Sequence, residues 1–306
     1  MRGTDELMLN AWNAKTVIPS FNIPYLPMMA PVIRALQDSH CFGLIAVARC
    51  EWEKFEAKSI RAVYDSYQSL KDEQYVRLHL DHVPVIDEDG LKVNYKAILS
   101  EAIKMGYQSV MVDGSRLGLD ENIAATKRVV EMSHLAGIPV EAELGVVLGH
   151  ELGPIPPYEE LYASGRGFTE PADARRFVNE TGVDWLSVSV GNIHGAISVV
   201  ARSAKKVEAR INIERLDKIR QGASVPLVLH GGSGIKKDFI LAGIKHGIAK
   251  INIGTTIRQA YEKWCRFSVV KGQENVYHTT LRLICEELEI EGSADIVNPL
   301  GKPPSP

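Results

Sequence analysis

The feature that most limits what this chain can fold into is an eightfold alternation of short β-rich runs with amphipathic segments. The runs are VIPSFNI (17–23), GLIAVAR (43–49), YVRLHLDH (75–82), SVMVDG (109–114), PVEAELG (139–145), WLSVSVG (185–191), PLVLHG (226–231) and AKINIGT (249–255). Between them lie segments with helical spacing, such as APVIRALQDSH, YKAILSEAIKMG, ENIAATKRVVEMSHLAG, ADARRFVNETG and KDFILAGIKHG. Several close on Gly, as helix C-termini often do. Strand–helix units repeated in this way imply a parallel sheet. Eight units in about 250 residues match a TIM (β/α)8 barrel, with a doubly wound open sheet as the alternative. No GxGxxG opens the chain and no Gly/Ser linker divides it. We therefore expect one α/β domain over residues 1–306, with the barrel at about 15–270 and a C-terminal helical extension and tail at 271–306. The connection at 146–170, rich in Pro, Gly and Tyr, is a long loop after strand 5 and a candidate lid.

Composition narrows the partners. The 306 residues are 45% hydrophobic, enough for a large core, and carry a net charge of -3 with no basic stripe. That argues against nucleic acid and against a membrane. No apolar signal core opens the chain, so a soluble, cytoplasmic protein is expected. Cys41, Cys50, Cys265 and Cys285 form no CxxC pair, so neither a cysteine zinc site nor a disulfide framework is indicated.

Barrel chemistry sits at the C-terminal ends of the strands. Here nearly every strand ends in a polar group: Asn22, Arg49, Asp81 and His82, Asp113, Glu141 and Glu143, His194 in GNIHG, His230 in HGGSG, and Asn252 with Thr255 in NIGTT. Three imidazoles, from His82, His194 and His230, can form a zinc shell with one open position. The alternative is three separate hydrogen-bonded histidines. The loops after strands 7 and 8 commonly hold phosphate in such barrels. Glycine-rich turns there, with Ser233 and Thr255, offer N–H and hydroxyl donors, although the glycines could simply make tight turns. Asp81 and His79 share a strand face, whereas strict alternation turns His82 away unless the strand ends there. Asp81 beside a metal site suits a proton carrier or an orienting partner.

LHLDH, MVDGS, ENIAATKRVVEMSHLAGIPVEAELG, TGVDWLSVSVGNIHG, PLVLHGGSGI and KINIGT, in this order, resemble the class II, metal-dependent ketose-bisphosphate aldolases, which include the fructose- and tagatose-bisphosphate enzymes. The resemblance runs from about residue 21 to Arg258. It implies a TIM barrel, a divalent cation, usually Zn2+, sometimes with a monovalent cation, and a homodimer or homotetramer. It implies His82, His194 and His230 as metal ligands, with Asp113 and Glu143 at an alternate metal position. Asp81 matches the acid/base group for the C4 hydroxyl, and Glu151 a loop glutamate that protonates the carbon. Asn22, Gly195, Gly231, Ser233, Asn252 and Thr255 fall where a dihydroxyacetone phosphate half is held. No lysine Schiff base is needed; Lys250 is the nearest candidate, with its direction open.

Four departures lie away from the metal and first phosphate positions. HLDH runs on into the long, acidic VPVIDEDGLKVNY. Strand 2 ends in ARCEWEK, which brings Arg49 near the mouth. Thr256 replaces an acidic residue, and Arg116 follows MVDGS. We therefore expect a rebuilt distal pocket, with Arg49, Arg116 and Thr256 as candidates for specificity, and Arg282 as the candidate for the distal phosphate ligand that the resemblance implies a neighbouring subunit supplies. The substrate class is a ketose 1-phosphate or 1,6-bisphosphate, or a non-standard or acidic sugar derivative. A metal-dependent hydrolase would lack the phosphate cradle. A non-catalytic sugar-phosphate binder would lack a ligand or Asp81.

Overall fold

The computed structural model describes residues 2–145, 158–192, 209–232 and 234–300. Its eight strands are β1 Ile18–Asn22, β2 Gly43–Ala48, β3 Val76–Pro84, β4 Ser109–Asp113, β5 Val140–Leu144, β6 Trp185–Val188, β7 Leu227–Leu229 and β8 Ile248–Ile253. They pair in parallel, each with the next, and β8 closes on β1. The fold is a TIM barrel, as the alternation requires, and the open sheet is excluded.

Helices alternate with the strands and bury one face each. In Pro171–Thr181 the inward positions are Ala174, Phe177 and Thr181, a helical 3,4 spacing, and Gly182 ends the helix at φ +68°. Burying a side chain such as Phe177 is worth about 2–3 kcal/mol. Outward-facing strand residues such as Val110, Leu186 and Ile251 pack with these helices in the main core.

Inside the barrel the layers differ in chemistry. The lowest layer is apolar: Ile18, Leu44, Trp185 and Val228 pack with Leu7, Met8 and Ala11 of the helix Thr4–Asn13 and with Ala294 and Val297 of a last short helix, Ala294–Val297. Two helices from opposite ends of the chain thus close the bottom. The helix Val269–Arg282 and a π turn, Leu283–Glu287, lead from the barrel toward this last helix. The expected extension therefore packs onto the barrel, with only residues 301–306 of it outside the described region. Above the apolar layer the interior turns polar.

Two strand ends differ from the expected ones. Arg49 is not the last residue of β2; it opens a six-residue helix, Arg49–Lys54. β3 runs past His82 to Pro84, and the acidic loop then folds back through an Ile86–Lys92 bridge. Asp87 shapes that loop by accepting the N–H groups of Asp89 and Leu91. Of the connection after β5, the helix Tyr158–Ser164 is described, and the Tyr158 hydroxyl ties it to the carbonyls of Gly191 and Arg210. Residues 146–157 lie outside the described residues.

Candidate active site

β3 carries the central irregularity. Leu80 pairs with Val110 and Val83 with Val112, so three steps on β3 face two on β4. This is a β-bulge. His82 sits in it at φ +32°, a region that costs a non-glycine residue about 1–3 kcal/mol. The extra residue breaks the alternation. Asp81 and His82 therefore both serve the mouth, which a regular strand forbids.

Asp81 is fully enclosed and doubly held. Asn22 donates to Oδ2 at 2.9 Å, and Asn252 donates to Oδ1 at 2.9 Å. Burial alone would raise its pKa. His82 beside it, with His79, Lys250 and His230, reverses that and holds it well below the usual carboxylate range. The Oδ1 of Asn252 has no hydrogen-bond partner among the described residues, although it is buried.

The His82 and His230 rings lie 4.5 Å apart. Nδ1 of His82 is 3.3 Å from Asp113 Oδ2 and 3.8 Å from Glu143 Oε2. Nδ1 of His230 is 3.1 Å from the same Glu143 oxygen. Donor atoms of Asp81, His82 and His230, and of His82, Asp113 and Glu143, fall within 4.8 Å of one another. Two imidazoles and several carboxylates converging on one point are a donor set that suits a divalent cation. His194, Gly195, Ser233 and Glu151 lie outside the described residues.

Of the positions expected to hold phosphate, Asn22, Gly231, Asn252 and Thr255 are described. Gly231 turns at φ +64° and Gly234 at φ +108°. Thr255 opens the helix Thr255–Cys265, whose N-terminal N–H groups favour an anion. A cavity of about 540 Å3 beside them is lined by Gly232, Gly234, Asn252, Thr256, Lys236 and Arg282. Arg282 also pairs with Glu287 in its own chain.

The residues expected to shape the distal half are Arg49, Arg116 and Thr256. Arg49 is 3.4 Å from the buried Asp87 and 3.8 Å from Glu53, so the acidic loop supplies its partner. Arg116 is exposed on the loop after β4. Sequence reasoning missed Glu51, whose side chain is enclosed beside this half and accepts the Ala48 N–H at 2.8 Å. Burial pushes it up to about 8, and the nearby Asp81 adds to that effect. It occupies the glutamate position of a helix capping box, but Ala48 stands where such a box has Ser or Thr, so the usual signal is absent.

His79 and Lys250 both point into the barrel. His79 Nδ1 is 2.9 Å from Ser109 Oγ. Lys250 Nζ donates to Glu141 Oε2 at 2.7 Å, below the mouth. The open direction of Lys250 is thereby decided: its amine is held by a carboxylate.

A family model described as fructose-bisphosphate aldolase class-II matches residues 2–293. The chain belongs to that family. Its members are metal-dependent lyases, and sugar phosphates are the substrates the family implies. Among solved structures, the YdjI aldolase from Escherichia coli K12 is 27% identical, with a TM-score of 0.74 over 96% of this chain and 100% of that one. A putative fructose-1,6-bisphosphate aldolase from Coccidioides immitis is 24% identical, TM-score 0.73, over 94% of this chain and 96% of the other. The fructose-bisphosphate aldolase of Campylobacter jejuni is 17% identical, TM-score 0.74, over 95% and 96%. The last two likenesses show the fold alone. No described helix is long and apolar enough to cross a membrane.

A cation taken up by the His82 donor cluster should bind in a pH-dependent way. Burial would lower the pKa of His82, but Asp81, Asp113 and Glu143 together raise it to about 10. A proton therefore occupies the cation-free imidazole at neutral pH, and a cation must displace it. Apparent affinity should rise with pH by up to about tenfold per unit below that value. Calorimetric titration in buffers of different ionisation enthalpy measures the proton release; a pH-independent affinity would exclude His82 as a ligand.

Proposed function

We propose that the chain cleaves, and in reverse condenses, a ketose 1-phosphate or 1,6-bisphosphate, giving dihydroxyacetone phosphate and an aldehyde. The observation that carries this reading is Asp81. It is an enclosed carboxylate, fixed by Asn22 and Asn252, next to the converging donors of His82, His230, Glu143 and Asp113. A base and a cation donor set in one mouth suit aldol chemistry. They also suit water activation, but the cavity beside Gly232, Gly234 and Thr255 favours a phosphate-bearing substrate. We assign His82, His194 and His230 as ligands of Zn2+ or a similar cation, with Asp113 and Glu143 at an alternate position.

When bound, the cation would supply Lewis-acid polarisation of the substrate's carbonyl and hydroxyl oxygens. Asp81, ionised and held in place, accepts the C4 hydroxyl proton. The C3–C4 bond then breaks, and its electron pair moves onto the dihydroxyacetone phosphate half, while C4 becomes the aldehyde carbon. Glu151 returns a proton to C3. Gly195, Gly231, Ser233, Asn252 and Thr255 hold the phosphate half.

A coupled assay for triose phosphate release, run over ketose phosphates of varied length, C4 configuration and terminal anion, tests this directly. Release from none of them would reject the aldolase reading. Activity that survives thorough chelation would reject the cation's role.

A second reading extends the same chemistry to substrates with an anionic aldehyde half. The long 3.4 and 3.8 Å contacts of Arg49 leave its guanidinium able to turn to such a group. Arg49→Ala should raise KM about tenfold for substrates with a distal phosphate or carboxylate, the scale of one charged hydrogen bond. Ketose 1-phosphates with an uncharged aldehyde half should keep their KM. Equal changes across the panel would remove Arg49 from specificity and leave Arg116 and Thr256.

A further inference from the structure

The layer beneath the mouth holds a line of contacts that the proposed mechanism does not use. Lys250 on β8 donates to Glu141 Oε2 at 2.7 Å. The other oxygen of Glu141, on β5, is 2.9 Å from His230 Nε2. Glu141 and Lys250 are both 0% exposed. β5 and β8 are not neighbours in the barrel, so this pair spans the lumen past β6 and β7. His230, on the chain just after β7, stands above it with Nδ1 facing Glu143 and the mouth.

We infer that Glu141 and Lys250 are positioning residues for His230: Glu141 accepts the Nε2–H, which leaves the Nδ1 lone pair for a cation, and Lys250 anchors Glu141 where it can do so. The inference rests on the cation site proposed above. A neutral imidazole carries one proton, and only the other nitrogen can be a ligand. Carboxylates face both nitrogens, Glu141 at Nε2 and Glu143 at Nδ1, but only Nδ1 faces the mouth where the donors of Asp81 and His82 gather, so Glu141 at Nε2 fixes the ring plane with Nδ1 toward the cation. A carboxylate buried in this layer without a counter-charge would be strongly disfavoured. Lys250 supplies the counter-charge at 2.7 Å and lies 3.9 Å from Asp81 as well. The surrounding inward residues are small (Ser20, Ala46, Ser109, Ser187), which leaves room for the long side chains to cross.

A pair that served only to neutralise the interior could be removed as a unit without touching the cation. That separates the two roles. The variants are E141Q, K250M and the double variant E141Q/K250M, which leaves no lone buried charge if a single variant does not fold. The readouts are Zn2+ affinity by competition with a chromogenic chelator, and the imidazole 15N shifts of His230 in the Zn2+-loaded protein. E141Q should weaken Zn2+ binding about 10–100-fold, the usual effect of losing such a partner. K250M should act in the same direction. The double variant should be no worse than E141Q, because Lys250 acts through Glu141. The wild-type shifts should report a protonated Nε2. A folded double variant with Zn2+ affinity within about twofold of wild type, below the range expected for such a partner, would overturn the inference and leave the cation site standing. A wild-type chain that binds no divalent cation would instead sink the proposed site, and this inference with it.

Discussion

Replacing Asp81 by asparagine should slow ketose cleavage by about 10²–10⁴-fold, the range for losing a positioned general base. The substitution keeps the volume and removes the charge. It also turns one of the two oxygens, each of which accepts from an Asn carboxamide at 2.9 Å, into an NH2 group that faces a donor. The C3 proton is assigned to Glu151, so the variant should still exchange that proton of dihydroxyacetone phosphate with solvent at a rate near wild type. Deuterium incorporation followed by NMR, beside the coupled cleavage assay, reads the two steps separately. Equal loss of both would mean that Asp81 maintains the site and does not move the C4 proton. Undiminished cleavage would remove it from the mechanism.

His230→Ala should weaken cation binding by more than about 100-fold, because losing a ligand costs more than losing the partner that orients one. Glu141 keeps Lys250 at 2.7 Å in this variant, so the interior is not left with an unmatched carboxylate. The fold should therefore survive, and circular dichroism would verify it. Activity at low Zn2+ should vanish and return in part at high Zn2+, while KM for a ketose phosphate at saturating metal changes little. Metal analysis of the purified variant gives the clearest reading: a Zn2+ content equal to wild type would show that His230 is not a ligand.

These two residues also mark how far the chain could be read unaided. The strands were legible because β-branched runs such as GLIAVA and INI are local signals, and the Gly-closed amphipathic segments between them are equally local. His230 at the end of PLVLH needed no more than that. His82 was harder. Alternation from His79 and Asp81 turns it away from the mouth, and only the extra residue of β3 against β4, with φ +32°, brings it back. Arg49 was placed at the correct rim, but its partner Asp87 lies 38 residues on, in a loop whose fold-back has no local pattern. Glu51 and Lys250 were obscure for a related reason. Each is a charged residue whose burial depends on what other strands place beside it.

The sequence by itself determined the eight-unit parallel architecture, the rim on which the polar residues gather and the family, because each rests on local periodicity or on ordered motifs. Only the tertiary structure decided which of those residues meet. Asp81 lies between Asn22 and Asn252, His82 faces Asp113 and Glu143, and Lys250 reaches Glu141 across the lumen. Those contacts join β1, β3, β4, β5 and β8. They exist because the sheet closes on itself, and ring closure with one bulge is a property of the whole barrel that no single strand records.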